Sequence, residues 1–182
     1  GWIYADSLIE DKREIKRSIL NGDYESVVGK IIVSKDDVVY IPSGTLHALT
    51  RGSLVYEIQQ STDITYRFFY YNRLDNDGKL RDLHLDDAIE TLNTANRVKS
   101  SAFPKDTLIS EQPYTMVRKT LENVYHNTTD VAVAITVSKG SMCVDGHSIL
   151  AGMSILVLPD EAISISQAAE EVVIATPKLY FK

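Results

Sequence analysis

The run Val38-Val39-Tyr40-Ile41-Pro42-Ser43-Gly44-Thr45-Leu46-His47 decides how the chain is read. Val38 to Ile41 is β-branched and aromatic, the composition of a strand. Pro42 and Gly44 then close it, because proline presets its own φ and glycine reaches dihedrals that other residues avoid, so the pair forces a tight turn. The next strand re-enters from that turn with His47 facing the interior. An imidazole held inside a small barrel can ligate a divalent metal. The competing reading is a buried, hydrogen-bonded core histidine, the commoner fate of a lone His. A single imidazole does not specify a zinc site, which takes three or four protein ligands.

Upstream of this run, residues 30–41 read as two strands parted by a polar turn at 34–37. Residues 10–20 place Ile15, Ile19 and Leu20 at helical spacing among charges, and Asn21-Gly22 ends that helix. A second short helix is expected over 24–28. Downstream, residues 46–60 read as two strands reversing at Arg51-Gly52, residues 65–71 as another strand, and Asn76-Asp77-Gly78 as a turn. Residues 83–93 form a helix with acidic groups in its first turn. The polar stretch 94–112, with Pro104, is the expected linker between a first domain (1–93) and a second (113–182). From residue 113 onward short alternating segments are punctuated by Gly140, Asp145-Gly146 and Gly152, the pattern of a β-sandwich or barrel. The fold expected is mainly β, with a helical insert in its first part.

Composition narrows the function. The 182 residues carry a net charge of −6 with no basic stripe, which excludes a phosphate-neutralising nucleic-acid binder. One cysteine, Cys143, excludes an internal disulfide and a cysteine-based zinc cluster. Cys143 itself reads as a small core residue. The most apolar run, 149–158, is interrupted by Gly152 and is too short to cross a bilayer, so no membrane association is expected. A cytoplasmic location is the expectation. His84 is read as a cap-adjacent surface residue, His126 as a solvated turn residue, and His147 as lacking any partner at ligand spacing.

The segment IPSGTLHAL (41–49), followed by LVYEIQQSTDITYRFFYYNRLD (54–75), closely resembles the bacterial type I mannose-6-phosphate isomerases of the cupin superfamily. The helix LHLDDAIE (83–90) matches their pattern too, and residues 110–182 fit their smaller, metal-free second barrel more loosely. The resemblance implies cupin (jelly-roll) barrels: an incomplete first barrel with a helical insert, and a smaller second one. It implies interconversion of mannose 6-phosphate and fructose 6-phosphate, a sugar-phosphate substrate, through a cis-enediol stabilised by zinc. By the same resemblance His47 matches the last zinc ligand. Asp63 and Arg67 match catalytic positions, and Glu57 and Arg67 match positions that line the substrate pocket; Arg73 is read as a substrate-binding positive charge near the phosphate, with a surface salt bridge as the equal alternative. Arg67 would face either the enediolate or the phosphate, since its forked donors suit both. Without the family, Glu57, Gln59, Ser61 and Asp63 share only a parity, and polar residues alternating on a strand are more often a solvated face.

The family's other ligands, a Gln-x-His pair and a Glu, have no counterpart in this sequence, nor does a lysine usually placed beside them. The chain is therefore expected to be a C-terminal portion that binds zinc weakly or not at all by itself. Edges left open in such a barrel offer a route to self-association. The alternative reading is a non-catalytic cupin that binds a sugar or regulates. An oxygenase or epimerase of the same scaffold would need a His-x-His and Glu set, or a His/Asp pair in another context, and neither occurs here.

Overall fold

The computed structural model describes residues 1–59, 64–68, 74, 77–79, 83–111 and 113–178. They form two compact units, Gly1–Ala102 and Phe103–Lys182. The fold is mainly β, as the sequence pattern requires.

In the first unit β1 (Trp2–Ser7) leads into α1 (Lys12–Leu20), and β2 (Val28–Ile32), β3 (Asp37–Tyr40) and β4 (His47–Ala48) follow. After α2 (Leu85–Thr91) comes β5 (Lys99–Ala102). β1 is the centre of an antiparallel sheet ordered β2-β1-β4, while β3 pairs with β5 from Asp37↔Ala102 to Tyr40↔Lys99. Residues 94–112 thus contribute β5 to this unit and β6 (Leu108–Ser110) to the other. Their polar composition, KSSA in β5, gives no apolar alternation from which a strand could be read.

α1 begins two residues inside the stretch 10–20 read as helical. Asp11 is its N-cap and accepts a bond from the Arg13 N–H at 2.8 Å, satisfying one of the orphan donors of the first turn. Ile15 and Ile19, one helical turn apart, are buried, and the helix ends at Gly22 with φ near +76°. The apolar face of α1 joins Val27 and Leu92 in a core against which Leu46, Phe68, Leu85 and Ile89 pack. The helix expected over 24–28 is instead a single turn closed by the N–H groups of Val27 and Val28 on the Tyr24 carbonyl. Asp23 is the reason: its carboxylate and carbonyl bind Ser26, the local competition that favours turns over helix. The strand expected downstream of Arg51-Gly52 is absent over 53–59 as well. Leu54 is fully exposed and Val55 and Tyr56 are largely so, and with no ladder partner among the described residues the composition alone does not make a strand.

The second unit is a two-sheet β-sandwich. To β6 it adds β7 (Tyr114–Lys119), β8 (Asn123–His126), β9 (Val133–Lys139) and β10 (Ser141–Val144). The remaining strands are β11 (His147–Leu150), β12 (Ser154–Val157), β13 (Ala162–Gln167) and β14 (Glu171–Pro177). One sheet runs β12-β9-β14-β7-β6 and the other β11-β10-β13-β8, with antiparallel neighbours throughout. The β10–β11 hairpin turns on Asp145-Gly146, both at positive φ, the pair that a two-residue loop matching strand twist demands. Val133, Ile135, Val137, Met142, Val157 and Val172 are buried to within 1% and fill the space between the sheets. Cys143 falls on the other face of β10 from Met142 and Val144 and is half-buried, so it is not part of that core.

β14 is buried along most of its length because it lies between β9 and β7. It opens with a charge, Glu171, whose carboxylate accepts bonds from Arg118 Nη2 at 2.7 Å and Ser138 Oγ at 2.8 Å, with Lys139 Nζ at 3.5 Å. Arg118 also donates to the Phe103 carbonyl at 2.6 Å and stacks on the Phe103 ring. Burial pushes the Glu171 carboxyl upward, but the bonds from Arg118 and Ser138 and the charges of Arg118 and Lys139 outweigh it, and the net shift is downward.

Two measurements check this packing. Ile135→Ala is expected to destabilise the fold by about 2–5 kcal/mol in urea titration, the range for truncating a buried aliphatic side chain. Glu171→Gln takes the carboxylate charge away from the buried Arg118 guanidinium and is expected to cost about 1.5–3 kcal/mol near neutral pH, the range for a hydrogen bond to a charged group. Because the folded-state pKa lies below the unfolded value, this stabilisation is complete above the ordinary glutamate pKa of about 4.3 and is lost as pH falls through the folded value. The gap in urea midpoint between the two proteins should therefore narrow below about pH 4.

Candidate functional site

The turn that the sequence singled out is built from its carbonyl groups upward. Pro42 O accepts from the Thr45 N–H at 3.2 Å and from Thr45 Oγ1 at 2.6 Å, which closes the turn on itself. Gly44 has φ near +78°, and a Cβ there would lie 2.9 Å from the Thr91 carbonyl, so the position requires glycine for both conformation and space. The chain leaving α2 supplies the other donors. The Asn93 N–H reaches Gly44 O at 2.8 Å, and Asn96 Nδ2 reaches Ser43 O at 2.8 Å and Thr45 Oγ1 at 3.0 Å.

Leu46 packs into the helical core, and its carbonyl accepts from the Asp6 N–H at 3.1 Å. His47 then pairs across the sheet with Ala5, so the two side chains share a face. Ala5 is fully buried on that face, whereas the imidazole is exposed. Its Nδ1 lies 2.9 Å from Thr45 O. A carbonyl only accepts, so Nδ1 carries the proton, and in the neutral ring Nε2 then presents its lone pair, the arrangement of a metal-ligating histidine oriented by a backbone carbonyl.

Arg67 lines a cleft of about 410 Å³ together with Ile64, Thr65, Tyr66 and His84. The His84 N–H donates to Arg67 O at 3.1 Å, which ties this segment to the start of α2. His84 occupies the N-cap position but makes no side-chain cap bond. It is half-buried, lies edge-on to Tyr66 with ring centroids 6.2 Å apart, and its Nδ1 is buried without a hydrogen-bond partner among the described residues. The expectation of a surface residue is thus corrected, and the cause lies in the contact with Tyr66, eighteen positions away, which no local pattern signals.

Neither His47 nor Glu57 belongs to the described lining of the cleft. Glu57 is exposed in the extended segment 53–59. Asp63 and Arg73 lie outside the described residues. His126 and His147 are exposed, at the end of β8 and the start of β11. His47 fits zinc as one donor, but a zinc site needs more, and no group of three or more His, Cys, Asp or Glu suited to a metal occurs among the described residues. Asn96, from the stretch read as linker, is the residue that sequence reasoning missed.

No protein-family model matches the chain. Among curated proteins it is similar to GmuF of Bacillus subtilis, 44% identical over 81 residues, and to the mannose-6-phosphate isomerase of Streptococcus mutans, 40% identical over 83. These stretches take in 44% and 46% of this chain but 26% of each relative, so the match spans about a quarter of the relatives' length. Among solved structures the chain superposes on the mannose 6-phosphate isomerase of B. subtilis with a TM-score of 0.69 and 25% identity, covering 97% of this chain and 60% of that one. In sequence over less than half of its length, and in its mainly β fold, this chain resembles the mannose-6-phosphate isomerases.

Proposed function

We propose that these residues are part of an aldose–ketose isomerase that interconverts mannose 6-phosphate and fructose 6-phosphate. The observation that carries the reading is the pairing of a built Pro-x-Gly-x-x-His turn with an arginine-lined cleft in one chain whose relatives carry that activity in their names. The isomerisation moves a proton between adjacent carbons and builds negative charge on oxygen as it does so. Arg67 lines the cleft and suits that task by its chemistry, since a guanidinium carries forked donors that match an oxyanion or a phosphate. Tyr66 and His84 beside it add hydroxyl and imidazole groups able to bind sugar hydroxyls.

Asp63 belongs to the proposal as a proton-transfer or hydroxyl-binding group, Glu57 and Arg73 as substrate-binding groups, and His47 as a zinc ligand. Zinc would polarise the carbonyl and hydroxyl of the open sugar. His47 supplies one donor of the set, so no catalytic step is assigned to the metal from the residues present. Among the described residues no helix is long and apolar enough to cross a membrane, and a cytoplasmic metabolic role is proposed.

The test uses the whole polypeptide in which these residues occur, purified with zinc and assayed in both directions. Interconversion of the two sugar phosphates is expected, with a loss of at least about 10²-fold in kcat for Arg67→Ala, the scale for removing one oxyanion donor. Sugar-phosphate binding without any turnover in the metal-replete protein would overturn the isomerase and leave a binding module.

A further inference from the structure

A histidine on a two-residue strand at the rim of a sheet has little to hold its ring. β4 is that short, and His47 is exposed. Exposed imidazoles exchange between the Nδ1–H and Nε2–H forms, so a fixed tautomer needs a fixed acceptor. The acceptor here is Thr45 O, two residues back in the same turn. Its position depends on how firmly Thr45 is held.

Thr45 is 9% exposed, and its hydroxyl sits between two partners. Oγ1 donates to Pro42 O at 2.6 Å and accepts from Asn96 Nδ2 at 3.0 Å. The second hydrogen of the same amide group goes to Ser43 O at 2.8 Å. Because Ser43 O accepts only, the amide orientation is not ambiguous, and because Oγ1 receives a bond from Asn96 its own hydrogen is directed at Pro42 O. Asn96 is itself placed by its neighbour Asn93. Asn93 Oδ1 accepts from the Ala95 N–H at 3.1 Å and Asn93 O from the Asn96 N–H at 3.2 Å, an Asx turn that starts where Asn93 has gripped Gly44.

We propose that Asn96 is a positioning residue: through Thr45 it fixes the Pro42–Thr45 turn so that His47 is held as the Nδ1–H tautomer with the Nε2 lone pair exposed. Asn96 does not touch the imidazole. It sets the carbonyl that does. What this does for isomerisation rests on the reading proposed above, but the tautomer itself does not depend on that reading.

The experiment is long-range ¹H–¹⁵N correlation of the His47 ring in this chain, at a pH where the ring is neutral and with no metal or substrate added. The wild-type ring is expected to show a protonated Nδ1 and an unprotonated Nε2. In Asn96→Ala the pattern should shift toward a mixture in which Nε2–H is populated, with the circular-dichroism spectrum unchanged. Thr45→Val, which removes the hydroxyl but keeps the side-chain shape, should shift it likewise, and Thr45→Ser should retain the wild-type pattern. The Thr45 pair decides the matter if Asn96→Ala does not fold. A wild-type ring protonated on Nε2 overturns the proposal, as does a folded Asn96→Ala or Thr45→Val protein that keeps Nδ1–H. Because no turnover is measured, a failed isomerase assay beside the expected spectra would count against the function alone.

Discussion

Four consecutive carbonyls, from Pro42 to Thr45, turn away from any strand ladder, and a backbone acceptor without a partner is costly wherever water is excluded. Each of the four meets a specific donor: the Thr45 amide and hydroxyl, the Asn96 amide, the Asn93 N–H and the His47 imidazole. That requirement ties together elements far apart in the chain. The turn between β3 and β4 is shaped to receive the exit of α2, and the exit of α2 is shaped by Asn93 to reach it. Gly44 follows from the same closeness, since the Thr91 carbonyl occupies the place of a side chain.

The helical insert is therefore part of the site's mechanics. Leu92, which ends α2, is buried with Ile15 and Ile19 of α1, and Leu46 packs on the same cluster. Alternation along β4 then sends His47 to the opposite face from Leu46. A shift of α2 against α1 would move Leu46, Asn93 and Asn96 together. Ion pairing between Lys16 and Asp86, and the Lys12 ammonium donating to Glu90 O at 2.9 Å, add contacts between the two helices at the surface, where each contributes little. The weight falls on the apolar contacts and on the hydrogen-bonded turn.

Local chemistry was legible in the sequence and long-range pairing was not. Gly22, Asp145-Gly146 and the apolar spacing of Ile15 and Ile19 each act within a few residues, and the structure uses them as their chemistry dictates. The turn at 24–28 misled because its apolar spacing fits a helix, while Asp23 and Ser26 favour a turn more strongly. β5 was illegible because a polar tetrapeptide becomes a strand only when β3 offers it a ladder. Asn96 and His84 were illegible for a related reason. Their partners lie 51 and 53 positions away in one case and across a cleft in the other, and a side-chain bond over that distance leaves no periodic trace.

The two units also treat buried polarity differently, and the contrast separates stability from chemistry. In the second unit the Glu171 carboxylate is met by Arg118, Ser138 and Lys139, and Arg118 also donates to the Phe103 carbonyl, so the charge is tied into the packing. In the first unit the satisfied groups are the backbone carbonyls of the turn. Among the described residues of that unit, Ser7 Oγ and His84 Nδ1 are buried without a hydrogen-bond partner, and His47 is exposed. A buried polar group left unmet is a stability cost, whereas an exposed imidazole is met by water. The described groups that the proposed isomerase would use thus lie on the first unit, at the turn and along the cleft.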